Sequence, residues 1–350
     1  MIIRSNIANY GVKFTDNLKQ DLDRDLKEEC CFVVDKKVYD LYRDKLSCIN
    51  TKNVYLLEAT EGNKTMTKAQ ELIKFLLEKG FKRDHKLIAI GGGITQDLTC
   101  FVASIMFRGV EWIFYPTTLL AQCDSCIGSK SSINVGTYKN QVGTFYPPRK
   151  IIIDVNFLKT LDKSDILSGL GEAIKVHYLD PRETHKYIFD NYDKSLEDMD
   201  VLRKVIRKSL MIKKSVVEID EYDTNYRNIM NYGHTFGHAI ESVADYKIPH
   251  GIAVTIGMGL ANYVSYKLGH AEKSDYEKME ELIQKNAKGY EFNLVDPQDQ
   301  EKYWKALQKD KKNIGNKVSF ILTSGFGKMF RRRMELDENV KSLILEYLNK

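Results

Sequence analysis

The stretch "NIMNYGHTFGHAIES", residues 228–242, sets His234 and His238 four apart in a segment that reads as a buried helix. Side chains at that spacing share a helix face, so both rings can enter one pocket. Imidazoles there can ligate a metal, move a proton or fill a core. "SGLGEAIKVHYL" (168–179) places Glu172 and Lys175 three apart on one face of an otherwise apolar helix. Burying that pair is costly unless the two groups bind each other or are used. "IPHGIAVTIGM" (248–258) puts His250 before a glycine at the start of another apolar helix. One glutamate and two histidines from three helices would make a zinc site with open positions for substrate; polar core packing is the competing reading.

A second chemistry is written in "AIGGGITQD" (89–97), a strand, a glycine turn and a helix start. Glycine lets the backbone approach a pyrophosphate, and free N–H groups at the helix start stabilise its charge. Asp35, just past an earlier strand, suits a ribose hydroxyl, or serves as a turn residue. Lys130, Lys139, Lys213, Arg227 and Lys311 with Lys312 form a scattered basic set. With a metal they would suit a substrate carrying phosphate and carboxylate.

These residues need elements to hold them. The 350 residues allow a large core and favour two domains. Apolar strands at 31–35, 54–59, 86–93, 110–118 and 150–155 alternate with helices, the pattern of a parallel sheet. One such helix, 67–80, carries a capping box from Thr67 to Gln70 and a glycine stop at Gly80. After residue 160 helical patterns dominate, at 164–179, 184–218, 228–246, 250–270 and 274–286, with one late strand at 317–324. The expected architecture is an α/β nucleotide-binding domain over 1–160 and an all-α metal and substrate domain over 161–350. The cleft between them is the default site.

Composition excludes other classes. Hydrophobic residues at 43% and charged ones at 29% are ordinary for a globular chain. A net charge of +5 with scattered basic residues gives no nucleic-acid signature. No run of about 18 apolar residues occurs, so no membrane-spanning helix is expected. "MIIRSNIANYGVKF" lacks the features of a secretory leader, which makes the cytoplasm the expected compartment. Six cysteines, including the Cys123–Cys126 pair, read as reduced structural thiols.

Taken together, "GGGITQD", "FRGVEWIFYPTTLLAQCDSCIGSKSSIN", "KNQVGTFYPP", "IIIDVNFLKTL", "GEAIKVHYL", "NYGHTFGHAIES" and "HGIAV" resemble 3-dehydroquinate synthases, of the sugar-phosphate cyclase superfamily. The motifs stand in family order across residues 89–254, with weaker matches at "EGNK" and "KDKK". The resemblance implies a homodimer that uses catalytic NAD and zinc, with cobalt as a substitute. It assigns Glu172, His234 and His250 to the metal. Asp35, Glu61, Lys64, Gly92, Gly93, Asp97, Thr117, Thr118, Lys139, Asn140 and Thr160 match cofactor positions. Asp124, Lys130, Lys175, Lys213, Arg227, Asn231 and a lysine of the 310–312 stretch, Lys311, match substrate positions. His238 matches a phosphate contact, and Arg108 an arginine that reaches across the family's dimer interface. The implied reaction turns 3-deoxy-D-arabino-heptulosonate 7-phosphate into 3-dehydroquinate and phosphate, by oxidation, elimination, reduction, ring opening and aldol closure.

Lys213 and Arg227 match the positions that grip the carboxylate in dehydroquinate synthases, and Asn231 is of the same type. The resemblance therefore implies a substrate with a carboxylate, a planar group that suits arginine. The chain departs from the family elsewhere. "GSKS" (128–131) replaces G-G-K-T, and "NVGTYKN" (134–140) replaces N-H-P-x-G-K-N. Gln96, Cys100 and His177 stand where glycine is common, and Lys37 where asparagine is. These changes leave open cyclases of the amino-dehydroquinate, 2-deoxy-scyllo-inosose or valiolone type. A metal-dependent polyol dehydrogenase shares the architecture but needs no phosphate or carboxylate grip.

Overall fold

Short runs of Ile, Val, Leu and Phe in the first half form strands, and those at 30–34, 86–91, 112–116 and 151–153 are buried on both faces, as the inner strands of a parallel sheet are. A computed structural model describes residues 1–136, 138–308 and 317–350. These divide into two units, Met1–Asp162 with Lys213–Tyr222, and Lys163–Ile212 with Asp223–Lys350. Lys311 lies outside the described residues.

The first unit contains β1 (Ile2–Ile3), β2 (Tyr10–Phe14), α1 (Leu18–Asp25), β3 (Cys30–Asp35), α2 (Lys36–Leu41), β4 (Val54–Leu57) and α3 (Met66–Glu78). It continues with β5 (Lys86–Gly91), α4 (Gly93–Ile105), β6 (Trp112–Pro116), β7 (Ile133–Val135), β8 (Tyr138–Val142) and β9 (Lys150–Ile153). Seven strands form one sheet in the order β1-β2-β9-β6-β5-β3-β4. Every neighbouring pair is parallel except β1 with β2. Strand order reverses between β3 and β5, so their carboxyl ends flank the crevice where such sheets bind ligands. Phe32, Ile88, Ile90, Ile113, Tyr115 and Ile152 belong to one core cluster of this unit.

The second unit contains α5 (Lys163–Leu179), α6 (His185–Glu197), the first two-thirds of α7 (Met199–Ile219), α8 (His234–Val243), α9 (His250–Lys267) and α10 (Lys273–Ala287). It closes with α11 (Pro297–Gln308), the antiparallel hairpin β10 (Lys317–Thr323) and β11 (Met329–Glu335), and α12 (Glu338–Leu348). Helix α9 is the axis: every residue from Gly251 to Ser265 is buried, and α5, α8, α10 and α12 pack around it.

The architecture is the expected one, an α/β unit and a helical one, with corrections in detail. Thr67 does not cap α3. Thr65 does, accepting from the Lys68 N–H at 3.3 Å, because a bridge to Asn134 holds Thr65 extended and starts the helix earlier. The expected 184–218 helix is two, broken at Asp198, whose carboxylate accepts from the amides of Asp200 and Val201 and restarts the chain as α7. The expected 228–246 helix is a 3-10 turn over Tyr226–Asn231 followed by α8, separated by Gly233 at φ 78°. The hairpin strand β11 escaped the reading because "FRRRME" carries no apolar alternation. None of the six cysteines is in a disulfide, and Cys123 and Cys126 are buried.

Candidate active site

In the second unit the local backbone explains why one glutamate and three histidines meet. Helices α5 and α9 cross where Gly171 and Gly251 touch; a Cβ on Gly171 would lie 2.2 Å from the Gly251 carbonyl oxygen. The next residue along α5 is Glu172 and the preceding one on α9 is His250, so this contact delivers both to one point. Gly233, in a left-handed conformation that glycine takes freely, ends the 3-10 turn and makes His234 the first residue of α8.

The resulting geometry is tight. Glu172 is 1% exposed, and its Oε1 lies 3.3 Å from His250 Nε2 and 3.6 Å from His234 Nε2. His234 Nδ1 lies 3.2 Å from the Tyr232 carbonyl oxygen, and His250 Nδ1 lies 3.1 Å from Glu241 Oε2. Those oxygens only accept, so both Nδ1 atoms donate and each Nε2 is left to face Glu172. Burial opposes a charge on His250, but Glu241 and Glu172 outweigh it and raise its pKa to about 10. Lys175 also bonds the far oxygen of Glu172.

This donor set fits a zinc-like ion. Tetrahedral ligands at about 2.0–2.1 Å from zinc sit about 3.3 Å apart, close to the two observed spacings. A carboxylate oxygen and two imidazole nitrogens converging on one point can hold a cation, which would take the place of the proton that His250 otherwise carries toward Glu172. His238 belongs to the same group: donor atoms of His234, His238 and His250 all lie within 4.8 Å of one another. Arg227 is buried at 4% exposure on the 3-10 turn, and Asn231 Nδ2 donates to the Asn228 carbonyl at 3.0 Å.

In the first unit, Asp35 ends β3 and caps α2, accepting from the Lys37 N–H at 2.9 Å, so the turn role is real. Burial raises its pKa against the pull of those backbone donors. Gly92 and Gly93 open α4 beside it across the strand-order reversal, with no side-chain cap on the first N–H groups. A Cβ on Gly92 would come within 2.9 Å of Thr118 Cγ2, while one on Gly93 would meet nothing nearer than 3.9 Å. That cradle fits a dinucleotide phosphate. Thr117 follows β6, buried, and Thr160 is an exposed residue that bonds the Tyr42 hydroxyl at 2.9 Å.

Lys64 gathers the other cofactor candidates. Its ammonium donates to Asp97 at 3.0 Å and to Asn140 at 2.6 Å, and Lys139 lies 3.8 Å from Glu61. Burial raises the pKa of Asp97 and Lys64 opposes that rise. Asp124 lies in a π turn, Ala121–Ser125, and its Oδ1 meets Lys213 at 2.6 Å. The Lys130 ammonium lies 5.8 Å over the Phe145 ring. Arg108 is exposed in a left-handed turn with Phe107.

Several contributors were not expected. Gln122 anchors the π turn through the carbonyls of Pro116 and Asp154, at 3.0 and 2.9 Å. Gln96, one of the departures, exchanges two 2.7 Å bonds with Ser125 and ties that turn to α4. Glu241 orients His250 and was legible in principle: it stands seven residues after His234, on the same helix face.

Residues 54–168 match the family model for the 3-dehydroquinate synthase N-terminal domain, and residues 169–313 that for the C-terminal domain. The chain belongs to the 3-dehydroquinate synthase family. Among the family's members, the 3-dehydroquinate synthase of Thermoanaerobacter sp. (strain X514) is 37% identical over 334 residues, 93% of either chain. That of Clostridium tetani (strain Massachusetts / E88) is 40% identical over 305 residues, 84% of this chain and 79% of the relative. The fold of this 3-dehydroquinate synthase family member is shared by the valiolone synthase ValA of Streptomyces hygroscopicus subsp. jinggangensis 5008, solved with NAD+ and Zn2+. The TM-score is 0.86 at 21% identity, over 100% of this chain and 99% of that one. A 2-deoxy-scyllo-inosose synthase solved with carbaglucose-6-phosphate, NAD+ and Co2+ gives 0.83 at 22%, over 99% and 98%.

Proposed function

We propose that this chain is a 3-dehydroquinate synthase. It converts 3-deoxy-D-arabino-heptulosonate 7-phosphate to 3-dehydroquinate and phosphate, in the cytoplasm and as a homodimer. The observation that carries the reading is the convergence of two histidine Nε2 atoms on one buried Glu172 oxygen, in a chain whose relatives bear that name. When bound, NAD would exchange a hydride with the substrate and zinc, or cobalt, would act as a Lewis acid on the reacting oxygen.

The chain's own residues do the rest. Glu172, His234 and His250 hold the ion, while Lys175 fixes the second oxygen of Glu172. Arg227 and Lys213 grip the carboxylate, and Asn231 and Asp124 orient the hydroxyls. His238, Lys130 and a second copy's Arg108 take the phosphate; Lys311 joins the substrate set. Gly92, Gly93, Thr117 and Thr118 hold the dinucleotide phosphates at the start of α4. Asp35 and Thr160 take its ribose and adenine side. Glu61, Lys64, Asp97, Lys139 and Asn140 position its other end. Positioning and charge compensation are the protein's main contribution.

Another sugar-phosphate cyclase activity is the second reading, favoured by the altered loops at 128–131 and 134–140. The test is purified protein with zinc, trace NAD and the heptulosonate phosphate, following phosphate release and the carbocyclic product. Turnover without net NADH is expected. Stoichiometric NADH from a simple polyol would instead make the chain a dehydrogenase.

A further inference from the structure

Lys130 follows two left-handed residues, Gly128 at φ 110° and Ser129 at φ 63°. Glycine takes such a backbone freely, whereas a side chain there is strained. Ser129 carries a Cβ in that backbone, so something must hold it. Tyr146 N–H donates to the Ser129 carbonyl at 2.6 Å, and Gly128 N–H donates to the Tyr10 hydroxyl at 2.9 Å. The side chain has its own anchor: Ser129 Oγ donates to Glu221 Oε1 at 3.2 Å. Both residues are 4% exposed.

Glu221 is itself fixed. The Ser5 hydroxyl and the Asn6 N–H each donate to it at 2.6 Å, and its neighbour Tyr222 packs edge-on against Phe145, ring centroids 5.2 Å apart. Phe145 is the ring over which the Lys130 ammonium sits, and it bridges Lys130 through the backbone. The segment 221–222 therefore touches the residue before Lys130 and the ring beside it.

We propose that Glu221 is a positioning residue that sets Lys130 by clasping Ser129, a device that needs the serine hydroxyl at this turn. The inference rests on the phosphate-binding role proposed for Lys130. A buried carboxylate can hold a hydroxyl but has no purchase on glycine, which turns the strained residue into the point of attachment.

The test uses the full-length protein, with steady-state kinetics and hydrogen exchange of amides 128–132. In Glu221→Gln and Ser129→Ala, KM for the heptulosonate phosphate should rise about tenfold with little change in kcat, the scale of one lost charge-assisted hydrogen bond. Exchange of the loop amides should accelerate by a similar factor. Ser129→Gly, which takes the turn without strain, should recover most of the loss seen in Ser129→Ala. In a Lys130→Met background, Glu221→Gln should add nothing. A KM within twofold of the parent in both single variants overturns the proposal even where the melting temperature falls, since the clasp would then be structural only. So does a full extra loss in the Lys130→Met background. If Glu221→Gln fails to fold, Ser129→Ala decides alone. If the parent does not turn over the heptulosonate phosphate, the functional reading falls separately. The exchange rates then decide the clasp: unchanged protection in the variants overturns it, and lost protection sustains it.

Discussion

His250 Nδ1 lies 3.1 Å from Glu241 Oε2, and this contact fixes which ring nitrogen faces Glu172. A carboxylate behind a metal-binding imidazole sets its tautomer and raises its basicity. Glu241→Gln keeps the shape and removes the charge, so zinc affinity should fall about 10- to 100-fold. Competition against a chelating dye measures it. Unchanged affinity would mean that Glu241 only packs.

The ligand set itself is testable by metal content. Glu172→Gln and His250→Ala should each lose bound zinc and nearly all turnover. His238→Ala should retain the ion while phosphate handling weakens. If His238→Ala loses zinc as fully as His250→Ala, the three histidines are the ligands and Glu172 is their buried counter-charge.

Substrate class is testable at Arg227. The residue is buried, and truncating one partner of a buried charge-assisted contact costs about 2–5 kcal/mol. Arg227→Met should therefore lower kcat/KM for the sugar-acid phosphate by about 30- to 5,000-fold. Sedoheptulose 7-phosphate and glucose 6-phosphate lack the carboxylate, and any residual use of them should be unaffected. An equal loss on all three substrates would make Arg227 a structural residue.

His177 gives the protein a pH-dependent stability of its own. The ring is fully buried, its Nδ1 sits 3.0 Å from the Thr184 carbonyl oxygen, and burial lowers its pKa from 6.5 to about 4. Above pH about 6.5 the ring is neutral in both folded and unfolded chains and adds no pH dependence. Below that, the unfolded chain takes up a proton that the folded one resists, so stability falls down to pH about 4. Between pH 7 and pH 5 this should cost about 2 kcal/mol more in the parent than in His177→Asn, read from urea denaturation. Parallel losses in the two proteins would remove His177 as the cause.

The meeting of Glu172, His234 and His250 was legible in the sequence, because each stands beside a glycine, and the glycines mark the crossings that join them. The broken helix before His234 was hidden, since "NIMNYGHTFGHAIES" keeps a helical apolar rhythm across Gly233. The π turn at Asp124 has no local signal at all. Its register follows from Gln122 reaching the carbonyls of Pro116 and Asp154, one of them far along the chain. Glu221 was equally silent, an acid in the polar run "EIDEYD" whose partners lie near residues 5 and 129.

The return of Lys213–Tyr222 to the first unit has a consequence for synthesis. The sheet is encoded by the first 162 residues, and a ribosome adding about 5–20 residues per second releases them in order. Asp124 and Ser129 emerge with that sheet, but Lys213 and Glu221 follow several seconds later, after α5, α6 and most of α7. For that interval the nascent α/β unit has its strands and lacks the partners of two loop residues. A fragment cut at residue 162 would remain at that stage permanently, a sheet without its late-arriving clasp.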